Sequence, residues 1–265
     1  MIYVMSDVHG CEARYRDILK QIHLTDEDHL YILGDVIDRA PGGLHILRDT
    51  MKKTNITLLL GNHEHMMLQA LTQPGTEKEL SRWYWNGGEL THRPFKHCSR
   101  AYREEVLDYI RDLPLNIEIT VNGINYLLVH GAPLETYQPE LSRFDNEVMH
   151  AVWARLTVDD PLPEGKTVIF GHTATRKYGV HTSWRIYHVN KRIGIDCGCA
   201  YGNSGRLGCL RLDDMHEFRV GGITLTYGGL SYVNSKLTNS KTEELEKNLV
   251  KALYAYYEAA EALLG

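Results

Sequence analysis

The amino-acid sequence predicts an α/β fold: a mostly parallel sheet formed by the first part of the chain, with a second, strand-rich sheet after it. Three observations carry this. Short apolar runs at Ile2 to Met5, Leu30 to Leu33 and Ile56 to Leu60 each end in a polar or glycine-rich turn. Each run is followed by a helix-length stretch, the β-α-β rhythm of a parallel sheet. Further along, Asn122-Gly123 separates two apolar stretches, Asn116 to Val121 and Ile124 to Val129, and is a strong two-residue hairpin signal.

The intervening helices are justified by apolar stripes at helical spacing, Ile18, Leu19 and Ile22 in the first and Leu44, Leu47 and Met51 in the second. Residues 74–112 break the rhythm with charged, aromatic-rich sequence and are expected to form a helical insertion. Its Trp83-Tyr84-Trp85 run, followed by Asn86-Gly87-Gly88, reads as insertion core, with a substrate platform as the alternative. Strands are then expected at Val168 to Phe170, Arg185 to Val189, Ile193 to Ile195, Leu207 to Leu212 and Glu217 to Val220, with turns at Asp213-Asp214 and Gly221-Gly222. Leu245, Leu249, Leu253, Tyr256 and Ala260 recur at helical spacing and predict a C-terminal helix over about 242–264, packed on its own domain. With no internal repeat or low-complexity linker, the whole chain, 1–265, is expected to be one domain.

With 265 residues, 43% of them hydrophobic, the chain can bury a core without disulfide or metal staples. No run approaches the ~18 to 20 apolar residues of a membrane helix, and the polar Ser6-Asp7 comes too early for a signal peptide, so a cytoplasmic protein is expected. A net charge of -5 without a Lys/Arg tract argues against nucleic acid as the main partner. The cysteines, Cys11, Cys98, Cys197, Cys199 and Cys209, form an odd set without Cys-x-x-Cys pairs and read as reduced thiols. Cys197-Gly-Cys199 is read as a buried strand end rather than a metal site.

The informative pattern follows the first three strands: Asp7-Val8-His9-Gly10, then Gly34-Asp35-Val36-Ile37-Asp38-Arg39, then Gly61-Asn62-His63-Glu64. Their spacing fits one strand, helix and return each, and the ends of neighbouring parallel strands face one crevice. Two later strands end alike, in His130-Gly131 and in Gly171-His172-Thr173. Carboxylate, amide oxygen and imidazole together are ligands for hard to borderline divalent ions, and six such groups exceed what one tetrahedral ion uses. Two metals sharing a bridging carboxylate fit the inventory better. Such a pair clamps a phosphoryl group for in-line displacement. Arg39 then suits bidentate phosphate binding, and His63, oriented and charged by Asp38, could protonate a leaving oxygen.

Asp-x-His-Gly, Gly-Asp-x-x-Asp-Arg, Gly-Asn-His-Glu, His-Gly and Gly-His-Thr, in this order, resemble the metal-dependent phosphoprotein phosphatases within the calcineurin-like metallophosphoesterases. The bacterial and phage-lambda-type branch is the most similar. Ile195-Asp196-Cys197-Gly198 and Arg206-Leu207 fit that branch too, so the resemblance covers most of the chain. It implies two mixed sheets packed face to face between helices, an α-β-β-α sandwich. It also implies roles: Asp7 and His9 on the first metal, Asp35 bridging, and Asn62, His130 and His172 on the second. His63 and Asp38 would be the acid pair and Arg39 a phosphate anchor. Arg155, in Val152-Trp153-Ala154-Arg155, matches a second phosphate-binding arginine. Manganese is the ion the branch implies, with iron or zinc permitted by the donors.

The reaction so implied is hydrolysis of phosphate monoesters by a metal-bridging hydroxide, on phosphorylated proteins or peptides or a small phosphoester. The alternative within the superfamily is a dinucleoside polyphosphate hydrolase of the diadenosine tetraphosphatase type; outside enzymes, it is a silent binding module that kept the fold. Two departures from the family stand out: Ala40 where glycine usually follows the arginine, which is harmless only if its φ is negative, and the absence of the tryptophan-serine-aspartate-proline stretch of eukaryotic members. Singly, each residue has a plainer reading. Aspartates after strands cap helices, Asn62 tolerates a left-handed turn, and His65, His150 and His181 are expected to be packed or solvated. Independent caps, however, have no reason to fall on consecutive strand ends with this chemistry.

Overall fold

The computed structural model describes residues 1–72, 76–179, 183–222, 226–227 and 230–231. The chain divides into two compact units, Met1–Gly222 and Ile223–Gly265. In the second, the described residues form a two-stranded antiparallel pair, Thr226–Tyr227 with Leu230–Ser231. The helix expected over 242–264 lies outside the described residues.

The first unit opens with the expected rhythm: β1 (Ile2–Met5), α1 (Glu12–Ile22), β2 (His29–Ile32), α2 (Gly43–Lys52), β3 (Ile56–Leu58) and α3 (Asn62–Thr72). The three strands pair in parallel in the order β1-β2-β3. Within residues 74–112 the chain forms three helices, α4 (Glu77–Trp85), α5 (Glu89–Lys96) and α6 (Arg100–Arg111). Ser99 caps α6 by accepting the Tyr102 N–H.

The hairpin of β4 (Asn116–Val121) and β5 (Ile124–Val129) turns through Asn122 and Gly123, both at positive φ (50° and 79°), as a tight two-residue turn requires. Then come α7 (Glu147–Trp153), β6 (Thr167–Phe170), β7 (Tyr187–Val189), β8 (Arg192–Gly194), β9 (Arg206–Arg211) and β10 (His216–Gly221). One five-stranded sheet has the order β10-β9-β1-β2-β3, the other β4-β5-β6-β8-β7. Both are mixed. The first is parallel where β1 to β3 meet and antiparallel where β9 and β10 join it, so the last two strands return to extend the opening sheet's edge.

Strand alternation explains the layers. In β1, Tyr3 and Met5 pack with Ile18, Ile22 and Leu47 of the helices, while Val4 faces the other sheet. In β5 and β6, Leu128 and Ile169 meet Val4, Leu33 and Leu210 between the sheets, while Leu127, Val129 and Phe170 pack outward with Ala154 and Leu156. Three buried clusters thus separate four layers, the α-β-β-α sandwich. The packing brings the C-terminal ends of β1, β2 and β3 against those of β5 and β6, and the motifs that open at Asp7, Gly34, Gly61, His130 and Gly171 sit just past these ends.

Candidate metal centre

The loops after β1 and β2 are zipped together by backbone bonds, His9 N–H to the Asp35 carbonyl and Gly10 N–H to the Val36 carbonyl, both 2.8 Å. From the first turn of α3, the buried Glu64 carboxylate accepts the N–H groups of Asp35 (2.8 Å), Val36 (2.9 Å), Gly61 (3.2 Å) and Ile37 (3.3 Å). One side chain therefore holds the loop that carries Asp35. Gly61 is glycine because a Cβ there would stand 2.3 Å from Asp35 Oδ1. Asp7, His9, Asp35, Asp38, Arg39 and His172 all have φ between 48° and 69°, left-handed geometry that costs of order 1–3 kcal/mol per residue. Strain gathered on these loops marks a functional site. Ala40 is absent from the positive-φ residues, so its methyl group replaces the family's glycine without strain.

Two imidazoles are set by carbonyl oxygens, which only accept. His130 Nδ1 donates to the Leu33 carbonyl (2.6 Å) and His9 Nδ1 to that of Ile37 (3.3 Å). Each ring is thereby oriented with its Nε2 turned inward. Asp35 lies between them: Oδ1 is 3.5 Å from His130 Nε2 and Oδ2 is 3.7 Å from His9 Nε2. Asp7 Oδ1 is 3.9 Å from His9 Nε2, while Asp7 Oδ2 accepts the His172 N–H (3.0 Å) and the Ser6 hydroxyl. Asn62 Oδ1 lies 3.0 Å from His130 Nε2 and 2.9 Å from His172 Nδ1. Among the described residues, two groups of donors have the reach to hold an ion, His9 with Asp35 and His63, and Asp35 with His130 and His172. Asp35 belongs to both.

These residues fit divalent cations on their own chemistry. His130 Nε2 and His172 Nδ1 both converge on the single Asn62 carbonyl oxygen, and the buried His172 Nε2 has no hydrogen-bond partner. Burial, then the charges of Asp196 and Asp35, holds Asp7 well above the usual carboxylate range; burial and then Glu64 do the same for Asp35. Burial likewise pushes His9, His63 and His172 well down. A pocket of crowded carboxylates and unprotonated imidazoles is stabilised by positive charge other than protons.

Beside this cluster His63 Nδ1 meets Asp38 Oδ2 at 2.7 Å, both fully buried. Arg39 reaches from the exposed side, placing NH1 2.8 Å from His9 Nε2 and NH2 2.9 Å from His63 Nε2. Its guanidinium thus caps the two imidazoles at the floor of the cleft. Arg155 is tethered to the loop after β6, its NH1 donating to the His172 carbonyl (3.0 Å) and to Thr173 Oγ1 (3.4 Å), and it lines the same cleft. All ten residues singled out in the sequence converge here.

Others gather with them. Asp196, buried beside Asp7, accepts the Gly198 N–H at 2.8 Å and lines the cleft, as do Asn86, Lys177 and Tyr201. Glu64 was visible as the last residue of Gly-Asn-His-Glu; Lys177 and Asn86 carry no local signal, because only packing brings them near. Cys197 and Cys199 are buried free thiols, but they sit in the loop and turn after β8 rather than at a strand end. His65 is buried, His150 bonds Thr136 Oγ1 (2.9 Å), and His181 lies outside the described residues.

The calcineurin-like phosphoesterase family model matches residues 1–193. Serine/threonine-protein phosphatase 1 of Salmonella typhimurium is 25% identical over 204 residues, 76% of this chain and 88% of that protein. The symmetrical bis(5'-nucleosyl)-tetraphosphatase of Salmonella paratyphi B is 25% identical over 272 residues, 82% of this chain and 93% of that protein. In fold the chain is similar to a metallophosphoesterase from Sphaerobacter thermophilus, with a TM-score of 0.51 at 17% identity, covering 83% of this chain and 88% of that one. With a motif-bearing region matched from Met1 past His172, and those motifs meeting around one cluster of donors, the chain belongs to the calcineurin-like phosphoesterase family.

Proposed function

We propose that this metallophosphoesterase is a dinuclear phosphomonoesterase acting on phosphoserine and phosphothreonine in proteins or peptides. The observation that carries the reading is Asp35, whose two oxygens face separate donor groups, His9 on one side and His130 on the other. Asp7 and His9 would hold one ion, Asn62, His130 and His172 the other, with Asp35 between. Bound there, the ions, manganese in our reading, supply charge for the phosphoryl oxygens and lower the pKa of water. Arg39 and Arg155 bind the phosphate. As Arg39 turns to it, the positive charge that helps hold His63 neutral leaves Nε2. His63 can then carry a proton at Nε2 and deliver it to the departing alkoxide, with Asp38 holding Nδ1. Five free thiols suit a reducing, cytoplasmic setting.

A second reading, hydrolysis of dinucleoside polyphosphates, is favoured by one feature. Lys177 stands near Arg155 and Arg176, and burial together with these cations pulls its ammonium down. Such a concentration of positive charge suits a ligand with more than one phosphate. A phosphoserine peptide and diadenosine tetraphosphate, assayed side by side with manganese, test the ranking: faster turnover of the peptide is expected, and predominant cleavage of the dinucleotide reverses it.

A further inference from the structure

The insertion does more than flank the cleft. Trp83 of α4 is fully buried, and its Nε1–H donates to Asp38 Oδ2 at 2.8 Å. Thr91 of α5, also buried, donates from Oγ1 to Asp38 Oδ1 at 2.6 Å and accepts the Asp38 N–H at 2.9 Å. Asp38 Oδ2 accepts in addition from His63 Nδ1 at 2.7 Å. An indole N–H can only donate, and the Thr91 hydroxyl, already accepting from the backbone, directs its proton at Oδ1. Once ionised, the carboxylate accepts on both oxygens and has no hydrogen to offer His63. The His63 tautomer is thereby set, with Nδ1 protonated and Nε2 turned toward the cleft. Two donors from two different helices also fix the plane of the carboxylate, and with it the imidazole.

The turn between these helices is shaped for this contact. A Cβ on Gly88 would lie 2.4 Å from the Trp83 indole, so glycine lets the start of α5 close onto the ring. One residue earlier, the Gly87 carbonyl accepts the Arg39 N–H at 3.3 Å. The same turn therefore grips the backbone of Arg39 while its flanking helices hold the carboxylate of Asp38.

We propose that Trp83 and Thr91 are positioning residues for proton delivery by His63, so that the helical insertion completes the acid half of the active site. The kinetic arm of the test rests on the phosphomonoesterase reading; the spectroscopic arm does not. Rates are compared for Trp83→Phe, Thr91→Val and Thr91→Ser on p-nitrophenyl phosphate, whose leaving group needs little protonation, and on a phosphoserine peptide, whose alkoxide needs it fully. Removing either donor should lower kcat on the peptide about tenfold or more beyond any fall on p-nitrophenyl phosphate, part of the ~10²–10⁴ a general acid contributes, with KM little changed. Thr91→Ser, which keeps the hydroxyl, should restore the peptide rate. Equal falls on both substrates, or a Thr91→Val enzyme with an unaltered peptide rate, would overturn the proposal.

If Trp83→Phe does not fold, the two Thr91 variants decide the matter. If the wild-type protein turns over neither ester, the proposed function fails while the positioning claim is still decided by proton NMR. The His63 Nδ1–H signal should be low-field and slow to exchange in wild type and Thr91→Ser, and shifted or broadened in Thr91→Val. An identical signal in all three would sink it.

Discussion

His130 donates its Nδ1 proton to the carbonyl of Leu33 at 2.6 Å, joining the end of β5 to the end of β2 across 97 positions of the chain. The bond ties one sheet to the other. It also decides what the imidazole offers, because a ring that donates through Nδ1 has only Nε2 to present to Asp35 and Asn62. Sheet packing and the orientation of a candidate metal donor are thus set by one contact.

From this arrangement, loss of a donor on one side should remove one ion and loss of the shared donor should remove both. Purified Asn62→Ala or His130→Ala should retain close to one metal per chain by elemental analysis, and Asp35→Ala close to none. Wild-type occupancy in the Asn62 and His130 variants would show that neither side chain is a ligand.

His63 has its Nδ1 committed to Asp38 and its Nε2 facing Arg39, and the proposed function gives it a part in proton movement rather than in metal binding. His63→Asn should keep the wild-type metal content while kcat on a phosphoserine peptide falls by roughly 10²–10⁴. Metal loss in this variant would instead place His63 with His9 and Asp35 as a ligand, a role its distances also allow.

Glu64 is held by four backbone N–H groups, all buried. Glu64→Gln replaces one accepting oxygen by an amide that donates, leaving N–H groups unpaired at a cost of about 1–3 kcal/mol each. A lower denaturation midpoint is expected, together with weaker metal binding, since the Asp35 loop loses its clamp. An unchanged midpoint in chemical denaturation would contradict this.

Burial lifts Asp38 to about 7, against the opposing hydrogen bonds from Thr91 and Trp83 and the charge of Arg39. Without metal, the folded state keeps this proton over a range in which the unfolded chain, with an aspartate value near 3.9, has released it. Asp38 therefore withdraws stability as pH rises from about 4 to about 7. Asp38→Asn lacks this titration, so its stability relative to wild type should improve across that window, by up to about 4 kcal/mol at about 1.4 kcal/mol per pH unit. Urea denaturation in chelator at both ends of the range measures the difference; a flat or falling trend would refute it.

Much of the fold could be read locally. The apolar runs located β1 to β3 to within a residue or two at each end, and Asn122-Gly123 set the hairpin's register, because period-two burial and positive φ leave marks on neighbouring residues. The return of β9 and β10 to the edge of the first sheet left no such mark. That pairing is a choice among distant partners, and an apolar strand can satisfy its backbone beside several.

The same division runs through the site. The residue types following each strand, on their own, pointed to carboxylates, an amide and imidazoles assembled beside Arg39, since metal and phosphoryl chemistry demand such groups, while Arg155 was added only by the family resemblance. Only the folded molecule decided which lone pair each imidazole presents, that Asp35 faces both ways, and that Trp83 and Thr91 hold Asp38. Hydrogen bonds made across dozens of positions depend on angles and distances of a few ångströms, and these exist only once both sheets and the insertion have closed on the same point.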